Sequence, residues 1–315
     1  MSRLAVVSLC ALFVIITVIM GYILMKRQLD ICEYTGFEEY DIMEFFEQEP
    51  QVPRSKIAIA TLMRKPIDLP IWLKHHRKMG ITTFFIRLED SPSWEEYLAS
   101  QEDVVFEISN SDKSGNNYET LMYRQLDFVN KTLEQAKKMK INWLFHIDAD
   151  ELLHGQLNFI DDLHDKYKCL RLENAEAVFK EDDNTCFSAV KFLKCGKNAP
   201  CKSYVNGKGA GRIEDGVMLA GPHHFSFNKQ IQGDNVYEIP FDILHVLHFD
   251  SCSLGVWIEK FKHLSKNAKD NVPFPYYRES IDAAVKAFNV YKEHNIKDLK
   301  DIDDELVYNI NEPLS

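Results

Sequence analysis

Asp148, Asp150 and Glu151 close the apolar run Asn142-Trp-Leu-Phe-His-Ile147 in the middle of the chain. Such a run reads as a buried strand. Carboxylates beside a core are costly unless something binds them. Two carboxylates separated by one residue at a strand's end can both reach one hard divalent cation, Mn²⁺ or Mg²⁺. A cation held there can neutralise charge on a departing diphosphate, which is Lewis-acid stabilisation of a leaving group. Asp150 is the first choice as a direct ligand.

Other residues could join this chemistry. Asp148 either shares the ion or holds the ribose hydroxyls of a nucleotide. The stretch Tyr204-Val-Asn-Gly-Lys208-Gly-Ala-Gly-Arg212 has three glycines that permit close backbone approach, with Lys208 and Arg212 supplying charge. It reads as a phosphate-gripping loop or as a flexible hairpin. Its spacing is not that of a P-loop. His245 and His248 would point to opposite faces of one strand, so they should not share an ion. His248, beside Asp250 at the strand end, is the better ligand. Arg124, near the start of a long helix, could face the ligand. Asp215, in Glu-Asp-Gly, and Asp250 are candidates for a general base, with Asp215 preferred. His75-His76 reads as surface or packing.

These residues need a scaffold. Residues 57–62 are strand-like, residues 68–79 follow helical spacing and stop before Gly80, and residues 82–88 and 104–108 are further strands. Residues 118–140 form a long amphipathic helix leading into the strand that carries the acids. This order predicts an α/β fold with a mostly parallel sheet and helices on both faces. Ligands of such sheets lie outside the carboxyl ends of the strands. Thr61, Glu89-Asp90 and Asp148-Asp150 all fall at those ends. Further on, residues 187–193 and 243–249 read as strands, and residues 254–268 and 279–294 as helices.

The 315 residues are 45% hydrophobic and 27% charged, enough for a large core. A net charge of −11 makes the chain a poor nucleic-acid binder, so a diphosphate must be held by local cations and metal. Residues 4–25 are apolar apart from Ser8, Thr17 and Gly21. Roughly 20 such residues span a bilayer, and the run lacks a small-residue cleavage site. It reads as an uncleaved single-pass anchor, followed by an acidic stem to residue 54 and a domain over residues 55–315. Flanking charges are nearly balanced across the run. Cys10 lies in the anchor, and six further cysteines permit disulfides or buried thiols. The sequon Asn130-Lys-Thr132 falls within the long helix.

Several stretches together resemble family-2-like glycosyltransferases with a GT-A (Rossmann-like) fold, including a membrane-anchored type. They are Ala58-Ile-Ala-Thr61 with Leu73-Lys-His-His76 and Gly80-Ile-Thr; Tyr123-Arg-Gln125; Trp143 to Leu152 with the DxD acids; Asn206-Gly-Lys208; Gly221-Pro-His223-His-Phe225; and His248-Phe-Asp-Ser251. The resemblance implies a nucleotide-sugar donor, a divalent metal, and a glycan, protein or lipid hydroxyl as acceptor. It places Thr61 and Arg64 at the nucleoside, Glu89 or Asp90 near the base or ribose, Asp148 and Asp150 in the DxD roles, and His248 or His223 in the metal shell. His224 stands where similar proteins often carry a basic residue. It also favours a type II orientation with the domain in an ER or Golgi lumen. A metal-dependent phosphoester hydrolase, or a non-catalytic domain of the same fold, could use the same residues.

Overall fold

The computed structural model describes residues 39–41, 52–66, 68–111, 117–178, 186–189, 191–194, 204–250 and 260–261. In chain order the elements begin with β1 (Glu39–Asp41) and β2 (Ile57–Arg64). β2 is buried along nearly its whole length, as a central strand covered on both faces must be. Helix α1 (Leu69–Lys78) follows. It presents Leu69, Trp72, Leu73 and His76 to the core at helical spacing. Pro70 suits its first turn, and the basic run His75 to Lys78 suits the negative end of its dipole.

Next come β3 (Thr83–Glu89), the short α2 (Glu95–Ala99), β4 (Val104–Ser109), α3 (Asn117–Lys138) and β5 (Trp143–His146). Beyond the acids lie β6 (Glu151–Gly155), β7 (Cys169–Leu172), β8 (Asn174–Val178), β9 (Lys191–Lys194) and β10 (Lys208–Arg212). A hairpin of β11 (Val217–Gly221) and β12 (His224–Phe227) precedes β13 (Val236–Glu238) and β14 (Leu244–His248).

Seven strands form the main sheet in the order β13-β7-β10-β5-β2-β3-β4. The run β5-β2-β3-β4 is parallel, as the alternation of strands and helices requires. α1 and the second sheet cover one face through Trp72, Leu73, Leu153 and Val246. α3 and the β11–β12 hairpin cover the other through Phe128, Val129, Leu219 and Phe225. The fold is therefore mixed α/β with a largely parallel central sheet. The second sheet, β1-β9-β8-β14-β6, has five strands; of these the sequence reading anticipated β14 and part of β9 but not their assembly into a separate sheet.

Three expectations change. The glycine-rich stretch is not a loop over residues 208–212: β10 is a buried strand, antiparallel to both β5 and β7. Its glycines serve packing. A Cβ on Gly211 would meet Phe225 Cδ1 and Val217 Cγ1 at 2.6 Å, and Gly207 turns into the strand at φ +59°. The strand expected over residues 187–193 begins only at Lys191, because 186–187 form a turn. Within the expected stem, Glu39–Asp41 pairs with Lys191–Leu193 and so adds to the second sheet.

The expected anchor at 4–25 and the helix at 279–294 lie outside the described residues, as does 254–268 apart from helical Lys260 and Phe261. Among the described residues no helix is long and apolar enough to cross a membrane. The sequon is sealed: Asn130 exchanges hydrogen bonds with the backbone of Leu219, and Thr132 is buried.

Candidate metal centre at the junction of the sheets

The acidic block is the crossover between the two sheets. β5 ends at His146 in the main sheet, and β6 starts at Glu151 in the second. The turn between them is closed by Glu151 N–H donating to Asp148 C=O (3.2 Å), and by Asp148 N–H donating to Glu151 Oε2 (2.7 Å). The chain turns between the two sheets here, and each acid meets a different neighbour.

Asp148 faces β10. Because β10 runs antiparallel to β5, its first residue lies at the carboxyl end of β5. Lys208 Nζ donates to Asp148 Oδ2 at 2.5 Å and lies 3.5 Å from Glu151 Oε2. Gln125 Nε2 of α3 donates to Asp148 Oδ1 at 2.8 Å. Lys208 and Glu151 are fully buried, and the Tyr204 hydroxyl donates to Glu151 Oε1. Burial raises the Asp148 carboxyl, but the charges of Lys208 and His146 together with the Lys208 hydrogen bond outweigh it and hold the group below its usual range. Burial lowers Lys208 less than the Asp148 and Glu151 charges raise it, so it stays an ammonium.

Asp150 faces β14 instead. The register sets His248 against Glu151 on β6 and against Glu176 on β8. One ligand atom each from Asp150, His248 and Asp250 lies within 4.8 Å of the others. His248 Nε2 is 3.7 Å from Asp150 Oδ2, and its Nδ1 is 3.7 Å from Glu176 Oε1. Burial disfavours a charged imidazole there, yet Asp150, Glu176 and Asp250 outweigh it and raise His248 to about 10. Burial would raise Asp150, but Lys260 and His248 hold it far below the carboxylate range. Lys260 Nζ sits 3.2 Å from Asp150 Oδ2 and hydrogen-bonds Asp250 Oδ1.

This donor set fits a divalent cation. Two carboxylates and an imidazole suit Mn²⁺, and three protein ligands leave positions open for water or phosphate oxygens. Asp250 Oδ2 is buried without a hydrogen-bond donor, as an oxygen reserved for a cation would be. Glu176 beside Nδ1 is placed to orient the ring, the usual service of a carboxylate behind a ligating histidine. Asp148 is not in this cluster, since its oxygens are taken by Lys208 and Gln125.

The remaining expected residues divide by position. Arg64, Glu89 and Asp90 lie at the carboxyl ends of β2 and β3 and Arg124 on α3, whereas Thr61 is buried within β2 opposite Ile86, because β2 runs on to Arg64. Arg64 pairs with Asp90 at 3.4 Å, and Asp90 also accepts hydrogen bonds from Ser111. Arg124 Nε donates to buried Glu89 Oε1 at 2.8 Å. Thr61 Oγ1 and Glu89 Oε2 are buried without hydrogen-bond partners.

Arg212 and Asp215 are elsewhere. Arg212 pairs with Trp143, at the start of β5, and reaches Asp165 and the Tyr167 carbonyl. Asp215 is 92% exposed and bonds Lys137 near the far end of α3. An antiparallel strand that begins at the site must end away from it, so the structure does not bring these two residues to the acids. His223 donates from Nδ1 to the Gly207 carbonyl and stacks near Tyr204, outside the ligand cluster. His75 and His76 are packing residues, bonded to Leu153 and Trp72.

Glu176, Tyr204, Gln125 and Lys260 were not singled out by sequence reasoning. Gln125 and Tyr204 lay within quoted motifs. Nothing local marked Glu176 or Lys260, whose roles come from strand pairing and from a helix distant in sequence.

No family model matches this chain. No curated protein matches its sequence. Among solved structures, it is similar to a CMP:2-keto-3-deoxy-manno-octonic acid synthetase complexed with CTP, with TM-score 0.26 and 12% identity over 50% of this chain and 75% of that one. It is also similar to HddC from Yersinia pseudotuberculosis, with TM-score 0.33 and 11% identity over 66% of this chain and 98% of that one. At these scores neither likeness carries an argument about function, which rests on the site itself.

Proposed function

We propose that this chain is a metal-dependent glycosyltransferase that moves a sugar from a nucleotide-diphosphate donor to a hydroxyl of a glycan, protein or lipid. The observation that carries this reading is the convergence of Asp150, His248 and Asp250 beside the carboxyl ends of a parallel sheet. Those three residues would hold Mn²⁺ or Mg²⁺, which when bound supplies charge stabilisation to a leaving diphosphate. Buried Lys208 keeps Asp148 ionised and fixes its orientation. Thr61 Oγ1 and Glu89 Oε2, both buried and unpartnered, are suited to the polar edges of a nucleoside. Arg64 and Asp90 border the same rim. The resemblance carried by the DxD block and the Gly-Pro-His stretch points the same way.

A phosphoester hydrolase is the weaker reading. Such enzymes usually use two metals roughly 4 Å apart, and the described residues contain one three-ligand cluster. For the cell, we propose a single-pass type II protein anchored by residues 4–25 with its domain in the secretory lumen. Cys186 is disulfide-bonded, which suits an oxidising compartment.

A thermal-shift screen of the full-length chain with UDP-, GDP- and CMP-sugars, with and without Mn²⁺, tests the reading. A native-state ligand raises the melting temperature. One nucleotide class should do so, and more strongly with metal. If no nucleotide stabilises the protein in the presence of Mn²⁺, the transferase reading is lost.

A further inference from the structure

The Asp150–Asp250 pair already has a cation. Lys260 Nζ lies 3.2 Å from Asp150 Oδ2 and hydrogen-bonds Asp250 Oδ1. These two carboxylates belong to the three-residue cluster that fits a divalent ion. An ammonium that touches both uses acceptor sites a metal would need. Metal ligands of this kind stand about 2.0–2.6 Å from the ion, so an ion held by Asp250 Oδ2 and Asp150 competes with the ammonium at Asp150 Oδ2 and lies close beside it at Asp250. Two cations at such separations also repel strongly in a partly desolvated site.

Lys260 differs from the other lysine of the site in its freedom to leave. Lys208 is fully buried, whereas the Lys260 side chain is 26% exposed. A flexible stem with a route to solvent lets Lys260 swing away. Asp250 is 3% exposed and one of its oxygens has no donor, so it would be left as a buried charge if Lys260 withdrew with nothing to replace it.

We propose that Lys260 is a placeholder cation, compensating Asp150 and Asp250 until a divalent ion displaces it, and thereby setting the metal affinity of the site. The proposal deepens the metal-dependent reading given above and rests on it.

Calorimetric titration of Mn²⁺ into the full-length chain in detergent tests it. Lys260→Met should bind Mn²⁺ more tightly than the parent by about tenfold or more. Equal affinities would overturn the placeholder role while leaving the metal site intact. Absence of binding in both proteins would overturn the metal reading and the proposal together. A second measurement uses the unmutated protein, in case the variant folds poorly. Acetylation of the Lys260 amine by acetic anhydride, read by mass spectrometry, should rise severalfold at saturating Mg²⁺. Labelling that Mg²⁺ leaves unchanged would show that the amine is not displaced.

Discussion

Asp148 and Asp150 stand two residues apart on one turn and differ in what neutralises them. Asp148 meets Lys208, an ammonium with no exposure, rigidly held on a central strand and shared with buried Glu151. Asp150 meets His248 and Lys260, one a member of the candidate metal cluster and the other partly exposed. Their own exposures are nearly equal, 31% and 33%. The contrast therefore comes from their partners. A buried, fixed countercharge makes an acid part of the scaffold, because removing either partner leaves an uncompensated charge in a low dielectric. A replaceable countercharge leaves an acid available for binding. In this molecule the two aspartates divide into one locked by a buried lysine and one that faces the candidate metal cluster.

The largest expected effect lies on the structural side. Lys208→Met should destabilise the protein by about 3–5 kcal/mol, because Asp148 and Glu151 lose their shared cation. Urea unfolding measures this, and adding Glu151→Gln should recover part of the loss. A Lys208→Met protein as stable as its parent would erase the distinction between the two aspartates.

On the other side, Asp150→Asn should lower the urea midpoint less than Lys208→Met does, because partly exposed Lys260 can reorient to solvent. It should slow release of nucleoside diphosphate from the cognate donor by about 10²–10³-fold, the typical cost of losing one charge-stabilising group. An unaffected rate would move the metal away from Asp150.

A third effect concerns the scaffold behind the site. His154 faces His245 on β14 and His75 on α1, and burial first, then those neighbours, lowers it to about 3. His245 is lowered to about 4, chiefly by burial and also by Lys194. The unfolded chain protonates these groups below about pH 6.5, whereas the folded chain holds them neutral. Their contribution is therefore intact above pH 6.5 and is lost as pH falls toward 4. His154→Gln should flatten the stability–pH curve by about 3 kcal/mol across that window. Parallel curves for variant and parent would refute the assignment.

The smallest effect should be at Asp215. Asp215→Asn removes one exposed ion pair with Lys137 and should leave the urea midpoint unchanged. Donor turnover should stay within about twofold of the parent, whereas loss of an essential base would cost about 10²–10⁴-fold. A large loss would mean that the far end of β10 reaches the chemistry after all.

Much of the first half of the fold is legible from local pattern. The continuous apolar run at Ile57 marks a central strand, whereas the stripe Leu69-Trp72-Leu73-His76 and the long amphipathic helix carry helical periodicity because each helix buries one face against that sheet. The acids at the end of β5 are legible too, since an apolar run that stops in carboxylates is costly without a partner. So is His248 beside Asp250, by strand alternation. The second half is harder to read. β6 and β8 are short, with four buried residues each, and such runs show no helical or alternating signature. The glycines of β10 mimic a loop although they answer to close packing by Phe225 and Val217.

The amino-acid sequence by itself determined which residues could do chemistry and that a parallel sheet would gather several of them at its carboxyl edge. Periodicity and the cost of buried charge are local properties, and they suffice for that. Only the tertiary structure decided which acid each cation serves. The antiparallel insertion of β10 delivers Lys208 to Asp148 and carries Arg212 and Asp215 away. The pairing of β14 with β6 and β8 sets His248 between Asp150 and Glu176. Those contacts join residues far apart in the chain, and their electrostatics depend on a desolvated environment that exists only once both sheets have packed.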